Sequence, residues 1–184
     1  MYRNLKMGLK LKMTKYQTIT HSLRPLFRAD SKILILGSFP SVKTREYGFF
    51  YGHPQNRFWP LLERIFGVKL STDIEERRAF LLQHHLALYD VIYRCDIIGS
   101  SDASIQNAVP SDLSPILKEA DIKQIFCNGG TAYRYYKKYQ EQQTGFKAIK
   151  LPSTSPANAR SSMDDLYQKW KIIKEYQLEI ADTI

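Results

Sequence analysis

The segment Tyr47-Gly48-Phe49-Phe50-Tyr51-Gly52-His53-Pro54-Gln55-Asn56-Arg57-Phe58-Trp59 gathers aromatic rings, an imidazole and an amide in one short stretch. Aromatic side chains on a glycine-flanked loop suit a pocket wall that stacks on a flat ring. The plainer reading is a small satellite hydrophobic cluster. Pro60 does not sit deep inside a helix, so regular helix begins only a few residues before it. Asn56 then falls in or near the first turn, beside a positive helix terminus. A second polar segment, Leu151-Pro152-Ser153-Thr154-Ser155-Pro156-Ala157-Asn158-Ala159-Arg160, places three hydroxyls between two prolines. Such a stiff loop of small residues can grip phosphates by hydroxyl and backbone N–H contacts. Its plainer reading is a turn leading into a capped helix. A third, Gly37-Ser38-Phe39-Pro40-Ser41-Val42, combines a glycine that permits close backbone approach, a rigid turn and two hydroxyls. It lacks the G-x-x-x-x-G-K-[ST] spacing of a P-loop and on its own reads as a structural turn.

The elements around these segments alternate. Short apolar runs at 31–37, 86–91, 124–127 and 146–151 fit buried parallel strands. Helical patterns lie between them at 57–66, 74–84, 111–120 and 131–139, the last rich in Tyr and Lys. A final helix opens on Ser161 and Asp164 as a capping box, with Leu166, Trp170, Ile173 and Ile180 recurring near helical spacing. The alternation predicts an α/β fold, a three-layer α/β/α arrangement around a mainly parallel four-stranded sheet. Ligands of such sheets sit beyond the carboxyl ends of the strands. The chemistry belongs in the loops after Gly37, Val91, Cys127 and Leu151.

Composition narrows the class. The chain has 184 residues, one domain's worth. Its 43% hydrophobic content supports a core. Two cysteines and four histidines without an H-x-x-x-H pair argue against metal sites and disulfide scaffolds. No apolar run spans a membrane, and no signal-peptide core is present. An intracellular, reducing location is expected. The 27 Lys+Arg against 18 Asp+Glu give +9 and favour nucleic acid. Five of those cations (Arg3, Lys6, Lys10, Lys12, Lys15) lie in residues 1–16, which read as a basic N-terminal extension or as translation upstream of a working start at Met13. Residues 17–184 read as a single domain, ordered from about Leu23–Arg28.

Taken together, these segments resemble the uracil-DNA glycosylase superfamily over roughly residues 20–178. Gly37–Ser41 resembles its first motif, His53–Trp59 the segment that follows in mismatch-specific members, and Leu151–Ser155 its second motif. Leu88-Tyr89-Asp90-Val91-Ile92, Gly99–Ile105 and the 152–158 string most resemble the hypoxanthine-DNA glycosylase branch. The third position of the first motif, where related enzymes place a catalytic Asn or Asp, is Phe39. The resemblance therefore implies that Asn56 is the catalytic residue and that Tyr51 stacks on the flipped base.

The expected activity is hydrolysis of the N-glycosidic bond of a deaminated base in damaged double- or single-stranded DNA, hypoxanthine first, leaving an abasic site. Backbone groups at Gly37, Ser38 and Phe39, with Asn128, are expected to read the base edge. Hypoxanthine offers O6 as acceptor and N1–H as donor, the reverse of adenine, so a fixed site discriminates strongly. Ser41, Ser153, Thr154 and Ser155 are expected on the phosphates. The 157–160 stretch (Ala157, Asn158, Arg160) would fill the vacated space, the wedging residue being left open. Asp90 and Asp102 are assigned structural duty. No metal or organic cofactor is expected, and a monomer is. The alternatives are a uracil or mismatch glycosylase, a non-catalytic DNA-damage binder, and a protein that binds a small nucleotide.

Overall fold

A computed structural model describes residues 15–181. Residues 1–14, with Met13 and most of the N-terminal extension, lie outside them. The strands are β1 (Gln17–Thr20), β2 (Ile33–Gly37), β3 (Leu86–Asp90), β4 (Ile92–Ile97), β5 (Gln106–Pro110), β6 (Gln124–Asn128) and β7 (Ile149–Leu151). The helices are α1 (Val42–Tyr47), α2 (Phe58–Phe66), α3 (Ile74–Gln83), α4 (Ser114–Glu119), α5 (Gly130–Tyr139), α6 (Glu141–Thr144), α7 (Met163–Trp170) and α8 (Ile172–Ala181).

The four apolar runs form one parallel sheet of order β3-β2-β6-β7. Ile33, Leu34, Ile35 and Leu36 are fully buried, as are Leu86, Ala87 and Leu88. Continuous burial along a strand requires cover on both faces, which is why these runs show no polar alternation. From β2 the chain goes outward to β3 on one side, then returns to build β6 and β7 on the other. The order reverses at the β2–β6 pair, and the carboxyl ends of these two strands, Gly37 and Asn128, flank the crevice that such a reversal opens.

A second sheet was not legible in the apolar runs. β1, β4 and β5 pair antiparallel in the order β1-β4-β5. Only Val91 separates β3 from β4, so the two strands read as one apolar stretch. β5 is exposed or half-buried throughout and offers no hydrophobic signal. β1 brings the ordered chain forward to Gln17, ahead of the expected start at Leu23–Arg28. Helix α1, with six residues, was also unanticipated.

The final helix begins one residue later than its expected capping box. Ser162 Oγ accepts from Asp165 N at 3.1 Å and Ser162 N donates to Asp165 Oδ2 at 2.8 Å. Ser161 stays in the preceding loop because its carbonyl binds Arg57 and its hydroxyl accepts from Asn158 Nδ2 at 3.1 Å. Asp164 faces outward to Arg64 at 2.6 Å. The helix is then interrupted at Lys171. The buried Trp170 packs edge-on against Phe58 and donates Nε1–H to Pro152 O at 2.9 Å, so α7 docks directly on the Ser-Thr-Ser loop.

Candidate active site

Asn56 stands two residues ahead of α2, as Pro60 required, and its Oδ1 accepts from Phe58 N at 3.0 Å. This bond caps one of the helix's free N–H groups and fixes the amide at the helix's positive end. One lone pair of Oδ1 remains for water. The adjoining turn is closed by Asn56 N donating to His53 O at 2.8 Å and Gln55 N donating to His53 Nδ1 at 3.1 Å.

Arg57 is the residue the sequence reading left without a role. Its N–H donates to Thr154 O at 3.0 Å. Its guanidinium donates to Ser155 O at 3.0 Å, to Asn158 O at 2.8 Å and to Ser161 O. One half-buried cation thus ties the Asn56 turn to the whole 154–161 loop. The five donors of guanidinium in fixed directions suit such multiple carbonyl binding. The signal available in sequence was only its place beside Asn56.

The 152–160 loop departs from expectation at its centre. Thr154 is fully buried. Its Oγ1 accepts from Asn128 Nδ2 at 2.9 Å, and its N–H donates to Asn128 Oδ1 at 3.0 Å. Its full burial keeps the Thr154 hydroxyl from a phosphate, and the two bonds form a lock with Asn128 that pins the loop to the end of β6. Asn128 keeps one spare amide hydrogen. Ser153 Oγ accepts from Ser155 N at 3.2 Å and Ser155 Oγ from Ala157 N at 3.2 Å, so each of these half-buried hydroxyls retains its own proton. Asn158 Nδ2 donates inward to Ser153 O at 2.9 Å, which makes it a brace of the loop. Ala157, Ala159 and Arg160 are exposed at its tip. Ser41 lies elsewhere in role: its Oγ caps α1 by accepting from Thr44 N at 3.1 Å.

At the end of β2 the glycine is bare for a reason other than ligand approach. A Cβ at Gly37 would lie 2.1 Å from Asp90 Oδ1 and 3.4 Å from Tyr51 Oη. The space belongs to the protein's own carboxylate. Asp90 is 5% exposed, and its Oδ2 meets His21 Nε2 at 2.8 Å. His21 Nδ1 accepts from Leu23 N at 3.1 Å, which assigns the ring proton to Nε2, donating to Asp90. Ser38 Oγ donates to Asp102 Oδ2 at 2.7 Å. Burial, with the nearby Asp90 charge, holds the Asp102 carboxyl above its ordinary range. Phe39 is buried edge-on to the His21 ring at 6.0 Å.

Tyr51 joins these groups from the aromatic loop. It holds φ +54°, a left-handed conformation unusual for an aromatic residue and of the kind that concentrates at functional sites. Its ring stacks on Phe58 at 3.9 Å, so one face is already covered. Its hydroxyl is buried and meets the hydrogen-bond criteria with no partner among the described residues. Burial and the Asp90 charge push this phenol's pKa up, so it stays protonated.

A parallel β3-β2-β6-β7 sheet with an amide-bearing turn, a Ser-Thr-Ser loop and a carboxylate at the reversal point defines a DNA glycosylase fold of the uracil-DNA glycosylase type. The Uracil DNA glycosylase superfamily model matches residues 25–177, and the chain belongs to that superfamily. It is 31% identical over 134 residues to a hypoxanthine DNA glycosylase of Methanosarcina acetivorans, covering 72% of this chain and 84% of that protein. It is 33% identical over 143 residues to a hypoxanthine DNA glycosylase of Methanosarcina barkeri, covering 74% and 87%. A solution NMR structure described as a uracil DNA glycosylase from M. acetivorans superposes with TM-score 0.70 at 26% identity, covering 86% of this chain and 99% of that one. Among the described residues no helix is long and apolar enough to cross a membrane.

Proposed function

We propose that this DNA glycosylase removes hypoxanthine from deoxyinosine in DNA, with Asn56 holding the attacking water. The observation that carries this is the bond from Arg57 N to Thr154 O. It sets the Asn56 amide directly beside the loop that the fold uses at the ligand end of its sheet. The names of the two Methanosarcina relatives support hypoxanthine as the base.

A base inside a duplex is inaccessible, so the nucleotide turns out of the stack at a cost of about a few kcal/mol, least at a damaged pair. Ser153 and Ser155, with the N–H groups around them, grip the phosphates, and the 157–160 tip fills the vacated space. Tyr51, Asn128 and the end of β2 line the base pocket. The glycosidic bond breaks through an oxocarbenium-like state. Hydrogen bonds to the departing base stabilise the negative charge that grows on it. Asn56 is too weakly basic to take the water's proton early, so it orients the water while leaving-group stabilisation carries most of the rate. Water as nucleophile gives an abasic site without strand cleavage.

The test is single-turnover base release on oligonucleotides carrying hypoxanthine, uracil, xanthine or a T·G mismatch, read with and without alkali. Hypoxanthine is expected to be released fastest, with cleavage only after alkali. Asn56→Ala should slow release by about 10²-fold, the scale of losing one positioned polar group. Equal release by the variant removes Asn56 from the mechanism, and preference for uracil transfers the activity to that base.

A further inference from the structure

The Tyr- and Lys-rich helix α5 has no part in the chemistry above, yet it holds the domain's excess charge. With the five cations of residues 1–16 set aside, +9 falls to +4 for residues 17–184. Residues 130–150 alone carry five Lys or Arg and one acid. The remainder of the domain is therefore neutral, and its whole surplus lies on α5 and the stretch that leads into β7.

These charges are ordered. Arg134, Lys137 and Lys138 of α5 and Lys150 of β7 are exposed. None of the four forms an ion pair among the described residues. Each lies over a tyrosine ring instead. Lys137 Nζ and Lys150 Nζ stand 5.7 Å and 6.0 Å from the Tyr133 centroid. Arg134 Cζ lies 5.2 Å from Tyr135 and Lys138 Nζ 4.8 Å from Tyr139, and these two rings stack on each other. A ring face attracts a cation and so restrains its long side chain before any partner arrives. Like charges gathered without acids repel one another, and the patch is short of anions.

The patch is continuous with the crevice. Helix α5 leaves the end of β6 at Gly130, and a Cβ at Gly129 would lie 3.0 Å from Ser153 Cβ in the phosphate loop. Lys150 stands one residue before the end of β7. From Gly130 to Lys138 the helix covers about 12 Å at about 1.5 Å per residue. One DNA strand brings a phosphate about every 3.4 Å of axis, so this length matches about four steps. We infer that Arg134, Lys137, Lys138 and Lys150 form a ring-held rail for the phosphates that flank the excised base, on one side of the lesion. The inference rests on the DNA glycosylase reading and not on which base is removed. Phosphate contacts position DNA without reading its sequence, so the rail serves any flanking sequence.

The experiment measures binding of the full chain to duplexes carrying a stable abasic-site analogue, with the flank on either side cut short of that reach or carried past it. Wild type is expected to gain affinity from lengthening one flank and not the other. Lys137→Gln combined with Lys138→Gln and Lys150→Gln should lose about tenfold on the long-flank duplex, its slope of log affinity against log salt shallower by about 2 to 3, as for three lost phosphate contacts. On the duplex cut short on that side it should match wild type. The comparison protein combines Lys69→Gln, Lys118→Gln and Lys169→Gln, which lie beyond α2 and in the last turns of α4 and α7, away from the crevice. It loses the same charge and should bind as wild type does. Equal losses in the two triple variants would reduce the effect to net charge and overturn the inference. Wild-type binding by the first variant at every flank length would also overturn it and give the patch to another anionic partner. A wild-type chain that binds abasic and undamaged duplexes alike would count against the glycosylase reading, while the flank comparison still decides the rail.

Discussion

The two walls of the crevice are held by opposite strategies. On the 153–161 side most polar groups have found a protein partner, the buried Arg57 Nε excepted: the Arg57 guanidinium gathers three carbonyls, Asn128 and Thr154 exchange two bonds, and Asn158 braces Ser153. At the end of β2, among the described residues, the carboxylate of Asp90 is fixed on one side only and the phenol of Tyr51 has no hydrogen bond. A buried network that is satisfied holds a shape. One that is unsatisfied pays for its burial until something binds. The first wall is braced on itself, and the second keeps hydrogen-bonding capacity free among the described residues. The contrast also moves one expected residue: Thr154, expected on the phosphates, is locked to Asn128 inside the first wall.

Substitutions at three positions sharpen or break this contrast, in descending order of effect. Arg57→Ala should be the most damaging, because it strips a half-buried charge and leaves three carbonyls without donors. We expect a loss of about 3 kcal/mol in urea unfolding, in the range for charge-assisted hydrogen bonds broken together, with base release abolished. Arg57→Lys, lacking the planar fork, should recover only part of it. A small stability change would deny this wall its scaffold character. Thr154→Val keeps the volume but removes the acceptor for Asn128 Nδ2. It should cost about 1–2 kcal/mol while leaving phosphate affinity, measured as non-specific DNA binding, unchanged. Weaker DNA binding would return Thr154 to the phosphate grip.

The smallest effect concerns Asp102 and is read through pH. Its folded-state pKa is raised above 3.8 by burial first and by Asp90 next. The native state therefore holds this proton more tightly than the unfolded chain, and stability is lost as pH rises from the unfolded value through the raised one. Asp102→Asn keeps an acceptor for Ser38 Oγ–H and removes the charge. The variant's Tm relative to wild type should climb as pH increases above 3.8 and then level off. A constant difference across pH would mean that Asp102 does not titrate in this window.

Much of this was readable in the chain. The apolar runs became the four parallel strands; β2 and β3 are buried throughout because cover on both faces leaves no room for polar alternation, while the edge strand β7 exposes Lys150. Pro60 fixed the start of α2 and with it the place of Asn56. What stayed hidden depended on long-range partners. Gly37 reads as an opening in sequence, yet only the fold shows that Asp90, its register partner on the adjacent strand β3, fills that opening. β1 and β5 are polar or half-exposed and gain their order from pairing with β4. Ser161 and Asp164 carry the right types for a cap, but Arg57 holds Ser161 in the loop and passes the role to Ser162. Arg57 itself looked like one more surface cation until its carbonyl partners were in view.

Those partners also set when the site can exist. The acceptors of the Arg57 guanidinium lie 98, 101 and 104 residues away along the chain. Closing a loop of that length must be paid in entropy before any of the bonds is gained, and contacts of such separation form late and slowly. A chain emerging from synthesis carries Asn56 and Tyr51 long before it carries Ser161. The crevice is thus assembled by the last third of the polypeptide, and an interrupted or clipped chain holds the chemistry-bearing residues without the geometry that would let them act on DNA.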